Sequence, residues 1–117
     1  MMQVVFVVLH KTELLQDLLT KLKKAGVSGG TIIDSQGMIS YIQESDESYI
    51  LGSLRLFLEQ ARPDSKTMFF IIKDEQVELV FETIDKALGG LENHNTGIAF
   101  AMPITRVEGV VKDDSLF

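Results

Sequence analysis

Apolar residues in this chain come as continuous runs and as helical stripes, and the two kinds alternate. Residues 3–9, QVVFVVL, are rich in β-branched and aromatic side chains. Such a run favours a strand that is apolar on both faces. Beyond it, Leu14, Leu15, Leu18, Leu19 and Leu22 recur at helical spacing and predict one apolar stripe. Thr12 is placed to cap that helix. Lys21, Lys23 and Lys24 fall in its last turn, where cations suit the helix dipole. Gly26 then stops it. A second strand is expected near 29–36.

The second half follows the same plan. Residues 67–73 read as a strand, Asp74 as a helix cap, and Val77, Val80, Phe81, Ile84 and Leu88 as the next stripe. Gly89 and Gly90 stop this helix, and TGIAFAM reads as another strand. A shift of 63 residues lays Phe6 on Phe69, Val8 on Ile71, Leu14 on Val77, Leu18 on Phe81, Ala25 on Leu88 and Gly26 on Gly89. The chain therefore contains an internal β-α-β repeat. Two such units in tandem predict an α+β, ferredoxin-like fold. It would have a four-stranded antiparallel sheet with two main helices on one face.

Residues 37–66 separate the repeats. Their first part, GMISYIQESDES, is polar and acidic and reads as a loop. In the second part Leu51, Leu54, Leu58 and Ala61 sit at helical spacing, and Pro63 and Asp64 end the pattern. A short extra helix is expected there. The tail begins with PITRVEGVV, which reads as a short fifth strand. Strands 1 and 3 are apolar at almost every position, so both sheet faces need cover. The two helices supply one cover, so a second copy of the chain is expected to supply the other.

Composition narrows the chemistry. With 117 residues and 45% apolar content, one domain spanning 1–117 can hold a core without staples. There is no Cys, so disulfides, thiol catalysis and Cys-type zinc sites are excluded. The net charge of −6 argues against nucleic-acid backbones and anionic membrane surfaces as partners. The N-terminal apolar run, about eight residues, is too short for a signal core or a membrane span. A cytoplasmic protein is expected. No Walker-type loop, Ser-His-Asp set or His-Glu-x-x-His motif is present. No enzyme is expected.

Two small constellations remain. Glu44, Asp46 and Glu47 form either a solvated loop tip or a partner-docking, cation-attracting one. His10 ends strand 1 and His94 just precedes strand 4, which should run beside it. The two could meet, with Glu92 or Asn95, in a weak metal or anion site, or simply be surface histidines.

Gly26-Val27-Ser28-Gly29-Gly30-Thr31, a strand, and then Gln36-Gly37-Met38 resemble the P-II nitrogen regulatory proteins. Their pattern there is Gly-x-x-Gly-Met-Thr, with Gly-Phe where a long partner-binding loop leaves the strand. Gly30 replaces that Met, and Met38 replaces that Phe. NTGIAFAMPITRV is similar to the family's segment after helix 2.

The resemblance covers nearly the whole chain and implies a homotrimer with ligand clefts between subunits. A nucleotide, often with 2-oxoglutarate, would set the shape of the long loop. The loop would then dock on an enzyme, a membrane transporter or a transcription regulator of nitrogen metabolism. Thr31 matches the nucleotide-binding Thr, Gly37 the loop base, and Gly97 the last glycine of the phosphate-binding turn. Tyr41 falls near the family's ligand-contacting Gln, and is otherwise an ordinary surface aromatic. Thr31 and Gly97 likewise read equally as an ordinary strand residue and a tight turn. Met38 is taken with the ligand group, and Ile39, Tyr41, Glu44, Asp46, Glu47 and Tyr49 with the partner loop.

Three departures bear on an adenine nucleotide as cofactor. Ile98 stands where the family has Lys, and Gly109 and Val111 where it has Arg. Each lost charge-assisted contact removes about 1.5–3 kcal/mol, so triphosphate binding would weaken by orders of magnitude. Tyr49 lacks the motif around the family's modified Tyr. A different reading is a trimeric divalent-metal-binding protein similar to the cation tolerance family, which shares the fold.

Overall fold

The computed structural model describes residues 1–38, 41–42, 64–93 and 96–109. Four strands form one antiparallel sheet: β1 (Met2–Leu9), β2 (Thr31–Ser35), β3 (Ser65–Lys73) and β4 (Gly97–Ile104). Their spatial order is β2-β3-β1-β4. Helix α1 (Leu15–Lys24) follows β1, and α2 (Val77–Ala87) follows β3. This is the α+β plan that the repeat predicts. The expected extra helix lies outside the described residues.

The side-chain alternation of a strand divides the sheet into two faces. Val5, Val7 and Leu9 of β1 and Met68, Phe70 and Ile72 of β3 are buried on one face. Leu18 and Leu22 of α1 and Val80 and Ile84 of α2 complete this core. The other face carries Val4, Phe6 and Val8, which are only half-buried. Phe6 is paired with Phe69 on β3 and with Phe100 on β4. Its ring stacks on Phe100 at 5.1 Å and tilts against Phe69 at 5.7 Å. Ile33, Ile98, Phe100 and Met102 extend this apolar surface and are exposed. The uncovered second face expected from the sequence is therefore present.

The repeat extends to the helix ends. After α1, the Val27 N–H donates to Leu22 O at 3.0 Å and the Gly26 N–H to Lys23 O at 3.1 Å. After α2, the Gly90 N–H donates to Asp85 O and the Gly89 N–H to Lys86 O. Both pairs are Schellman endings, which need a left-handed residue after the cap. Gly26 and Gly89 supply it, with φ of 101° and 72°.

The helix starts differ from expectation. Thr12 does not cap α1. It begins a 3-10 turn, Thr12–Leu14, whose cap position is Lys11 and which has no side-chain cap bond. Asp74 likewise begins the turn Asp74–Gln76 instead of capping α2. Its carboxylate accepts from Gln3 Nε2 at 3.1 Å, and Gln76 Oε1 accepts the Lys73 N–H at 2.9 Å. In both repeats the 3-10 turn moves the helix start three residues along the chain.

Strand lengths also shift. β2 is shorter than expected, and β4 runs on through Pro103 and Ile104. Pro103 is tolerated because β4 is an edge strand and one of its sides needs no ladder donor. Residues 105–109 then leave the sheet without forming a fifth strand.

Lys66 bridges β3 to β2 through Asp34, its register partner. The hydrogen bond from Lys66 to Asp34, and then the carboxylate's charge, raise the Lys66 pKa above its usual 10.5. The stabilisation is full below that usual value and is lost as pH rises through the higher folded value. The urea midpoint of wild type minus that of Lys66→Met is thus expected to stay constant between pH 7 and 10 and to shrink at higher pH. A difference that grows with pH would contradict the assignment.

Candidate functional site

The region where residues leave β2 is framed by hydroxyls. Ser35 Oγ lies 2.7 Å from Ser65 Oγ and 2.8 Å from Thr67 Oγ1. Ser65 is buried, so the cluster closes the base of the 36–64 segment tightly. Sequence reading missed it. The signal, a Ser on either side of the insertion, has meaning only once the strand register pairs them.

Thr31 opens β2 on the uncovered face, opposite Phe69. Gly37 follows the strand, and its carbonyl accepts the Tyr41 N–H at 3.0 Å. Met38 and Tyr41 are 76% and 63% exposed. A Cβ added at Gly37 would meet nothing within 4 Å. Among the described residues no close neighbour requires a glycine there.

Gly97 lies on the opposite edge of the sheet. The register runs Asp34 to Lys66, Lys66 to Leu9, and Leu9 to Gly97. Four strands place β2 and β4 about 14 Å apart. Thr31 and Gly97 therefore do not line one cleft within a chain. Gly97 does share one end of the sheet with Asp34 and the base of the insertion.

Two demands meet at Gly97. Its φ is 157°, and an added Cβ would lie 2.6 Å from Val8 O. Its neighbour Thr96 is fully buried, and its hydroxyl donates to Asn93 O at 2.6 Å. The turn into β4 is thus fixed by backbone fit.

The electrostatics match the departures in sequence. Ile98 is 57% exposed on the uncovered face and brings no charge. Gly109 is exposed, and an added Cβ there would touch nothing. Arg106 pairs with Glu108 at 3.0 Å. Val111 lies outside the described residues. So do His94 and Asn95, and Ile39, Glu44, Asp46, Glu47 and Tyr49 of the expected partner loop. His10 sits beside the start of β4, its N–H donating to Thr96 O at 3.1 Å. Among the described residues no group of three or more His, Asp or Glu could hold a metal ion.

An antiparallel four-stranded sheet with two helices on one face and an insertion between its halves defines an α+β, ferredoxin-like fold. The family model for "Nitrogen regulatory protein P-II" matches residues 2–114. The chain belongs to the P-II family. Among solved structures, an Arabidopsis thaliana PII bound to citrate superposes with a TM-score of 0.62 at 20% identity. The match covers 88% of this chain and 77% of that one, and it shows a common fold. No curated protein matches the chain.

Proposed function

We propose that this chain is a homotrimeric P-II-like signalling protein, with residues 1–117 forming one domain. It binds a small anionic effector between subunits and regulates a partner protein through the segment 38–49. It acts as a regulator and not as an enzyme. The observation that carries this reading is the split of the expected ligand residues between two sheet edges. Thr31 and Gly37 stand at the β2 edge, and Gly97 at the β4 edge. Only a second copy can bring one edge beside the other. The apolar uncovered face supplies a reason for copies to associate.

Ligand contacts at both edges would favour one conformation of the partner segment, coupling effector binding to partner affinity. The citrate of the Arabidopsis protein supports a small anion as effector class. Ile98 and Gly109 lack the cations that a triphosphate needs. Regulation of nitrogen metabolism is carried over from the family.

The test is a calorimetric and thermal-shift screen of ATP, ADP, AMP, cyclic dinucleotides, 2-oxoglutarate, citrate and bicarbonate. At least one is expected to bind, with ATP no tighter than AMP. No binder at millimolar concentration would remove the effector assignment.

A further inference from the structure

The helix-covered face of the sheet is left open at β2. A cavity of about 170 Å³ lies between the C-terminal half of α1, the edge strand β2 and β3. Leu19, Leu22, Met68 and Phe70 form its apolar walls, and Ile32 stands at its mouth, 44% exposed. Leu22, Met68 and Phe70 are otherwise among the most buried side chains of the core. Polar groups are confined to the rim, where Lys23 and Ser28 sit beside Gly29 and Gly30.

Lys23 makes no ion pair among the described residues, although Lys21 beside it pairs with Asp17 at 2.8 Å. The Ser28 hydroxyl makes no hydrogen bond among the described residues. Gly30 cannot carry a side chain, because a Cβ there would lie 2.7 Å from Phe69 O. The mouth is therefore kept open by backbone fit.

Successive strand residues face opposite ways. Ile32 and the cavity thus lie on the other side of the sheet from Thr31 and from the apolar face offered for association. A ligand here would not compete with an effector bound between subunits.

Away from the rim, water finds few of the two to four polar partners that an ordered water needs. The volume equals that of about six waters, well below the ~300 Å³ at which drug-sized pockets begin. We propose that the cavity binds a short aliphatic carboxylate of roughly five or six carbons, a length set by that volume. The chain lies against Leu19 and Ile32, over a floor formed by the buried Leu22, Met68 and Phe70. The carboxylate meets the Lys23 ammonium and the Ser28 hydroxyl.

The experiment is a titration of the full-length protein, methyl-labelled at Ile, Leu and Met, with sodium hexanoate. Saturable millimolar shifts are expected at Leu19, Leu22, Ile32 and Met68, with Ile98 and Met102 unmoved. Lys23→Gln should weaken hexanoate by roughly tenfold or more and leave the feebler binding of hexan-1-ol unchanged. Ile32→Trp, at an already exposed strand position, should block both. Absence of saturable shifts, or equal affinity for the acid and the alcohol, would overturn the proposal. So would a Lys23→Gln protein that binds hexanoate as wild type does. Shifts centred on Ile33, Ile98 and Met102, on the aromatic face beside Thr31 and Gly97, would locate the ligand at the intersubunit site and sink this one.

Discussion

Phe6→Glu is expected to turn the proposed trimer into monomers. Phe6 stands at the centre of the uncovered face, stacked on Phe100 and tilted against Phe69. In a trimer formed through this face, each copy would bring one carboxylate into an apolar interior. Burying an unpaired charge costs several kcal/mol per group, and like charges add repulsion. No comparable cost arises in the monomer, where the face meets water. Light scattering should give about three times the 13.1 kDa chain mass for wild type and one chain mass for the variant. Phe100→Glu, on the edge strand at a position 43% exposed, should act in the same direction and disturb folding less. Far-ultraviolet circular dichroism would verify that both variants fold. A monomeric wild type, or trimeric variants, would reject association through this face.

Gly97→Ala should be the costliest of the small substitutions. The new methyl must displace Val8 O, a backbone atom held in the β1–β4 ladder, or else shift β4 itself. The φ of 157° adds a conformation that side chains other than glycine seldom adopt. Strain of this kind costs about 1–3 kcal/mol. Each kcal/mol lowers the midpoint of a domain of this size by roughly 4 °C. Gly37→Ala provides the contrast, because its methyl would meet nothing within 4 Å. It should change stability by less than about 0.5 kcal/mol. Equal midpoints for the two variants in a thermal melt would refute the backbone role given to Gly97.

The fold was legible because its signals are local and occur twice. A stripe of leucines and a glycine at the right distance define a helix and its end, and the 63-residue shift repeats both. The helix starts were less legible. Thr12 and Asp74 have the right chemistry for caps, but each falls inside a 3-10 turn. Asp74 is drawn instead to Gln3, a contact across the fold that spacing cannot reveal.

The candidate site could be proposed from sequence as a set of residue types and not as an arrangement. Thr31, Gly37 and Gly97 can be picked out along the chain, but their division between two edges depends on strand order. The cavity beside Lys23 gave no signal at all. Its walls come from three elements, and each wall residue reads as ordinary core.

The hydroxyl cluster of Ser35, Ser65 and Thr67 has a consequence for how such a protein changes over time. It fastens the two ends of an excursion whose terminal serines are 30 positions apart. With the ends fastened, the entropy of closing the excursion grows only slowly with its length, about 0.6 kcal/mol per doubling. The excursion also falls between the two β-α-β units, so a change in its length shifts no register among β1–β4 and no stripe of α1 or α2. The segment proposed to meet the partner can therefore be rewritten in sequence and length while the scaffold stays as it is. One frame can in this way acquire new listeners without relearning how to fold.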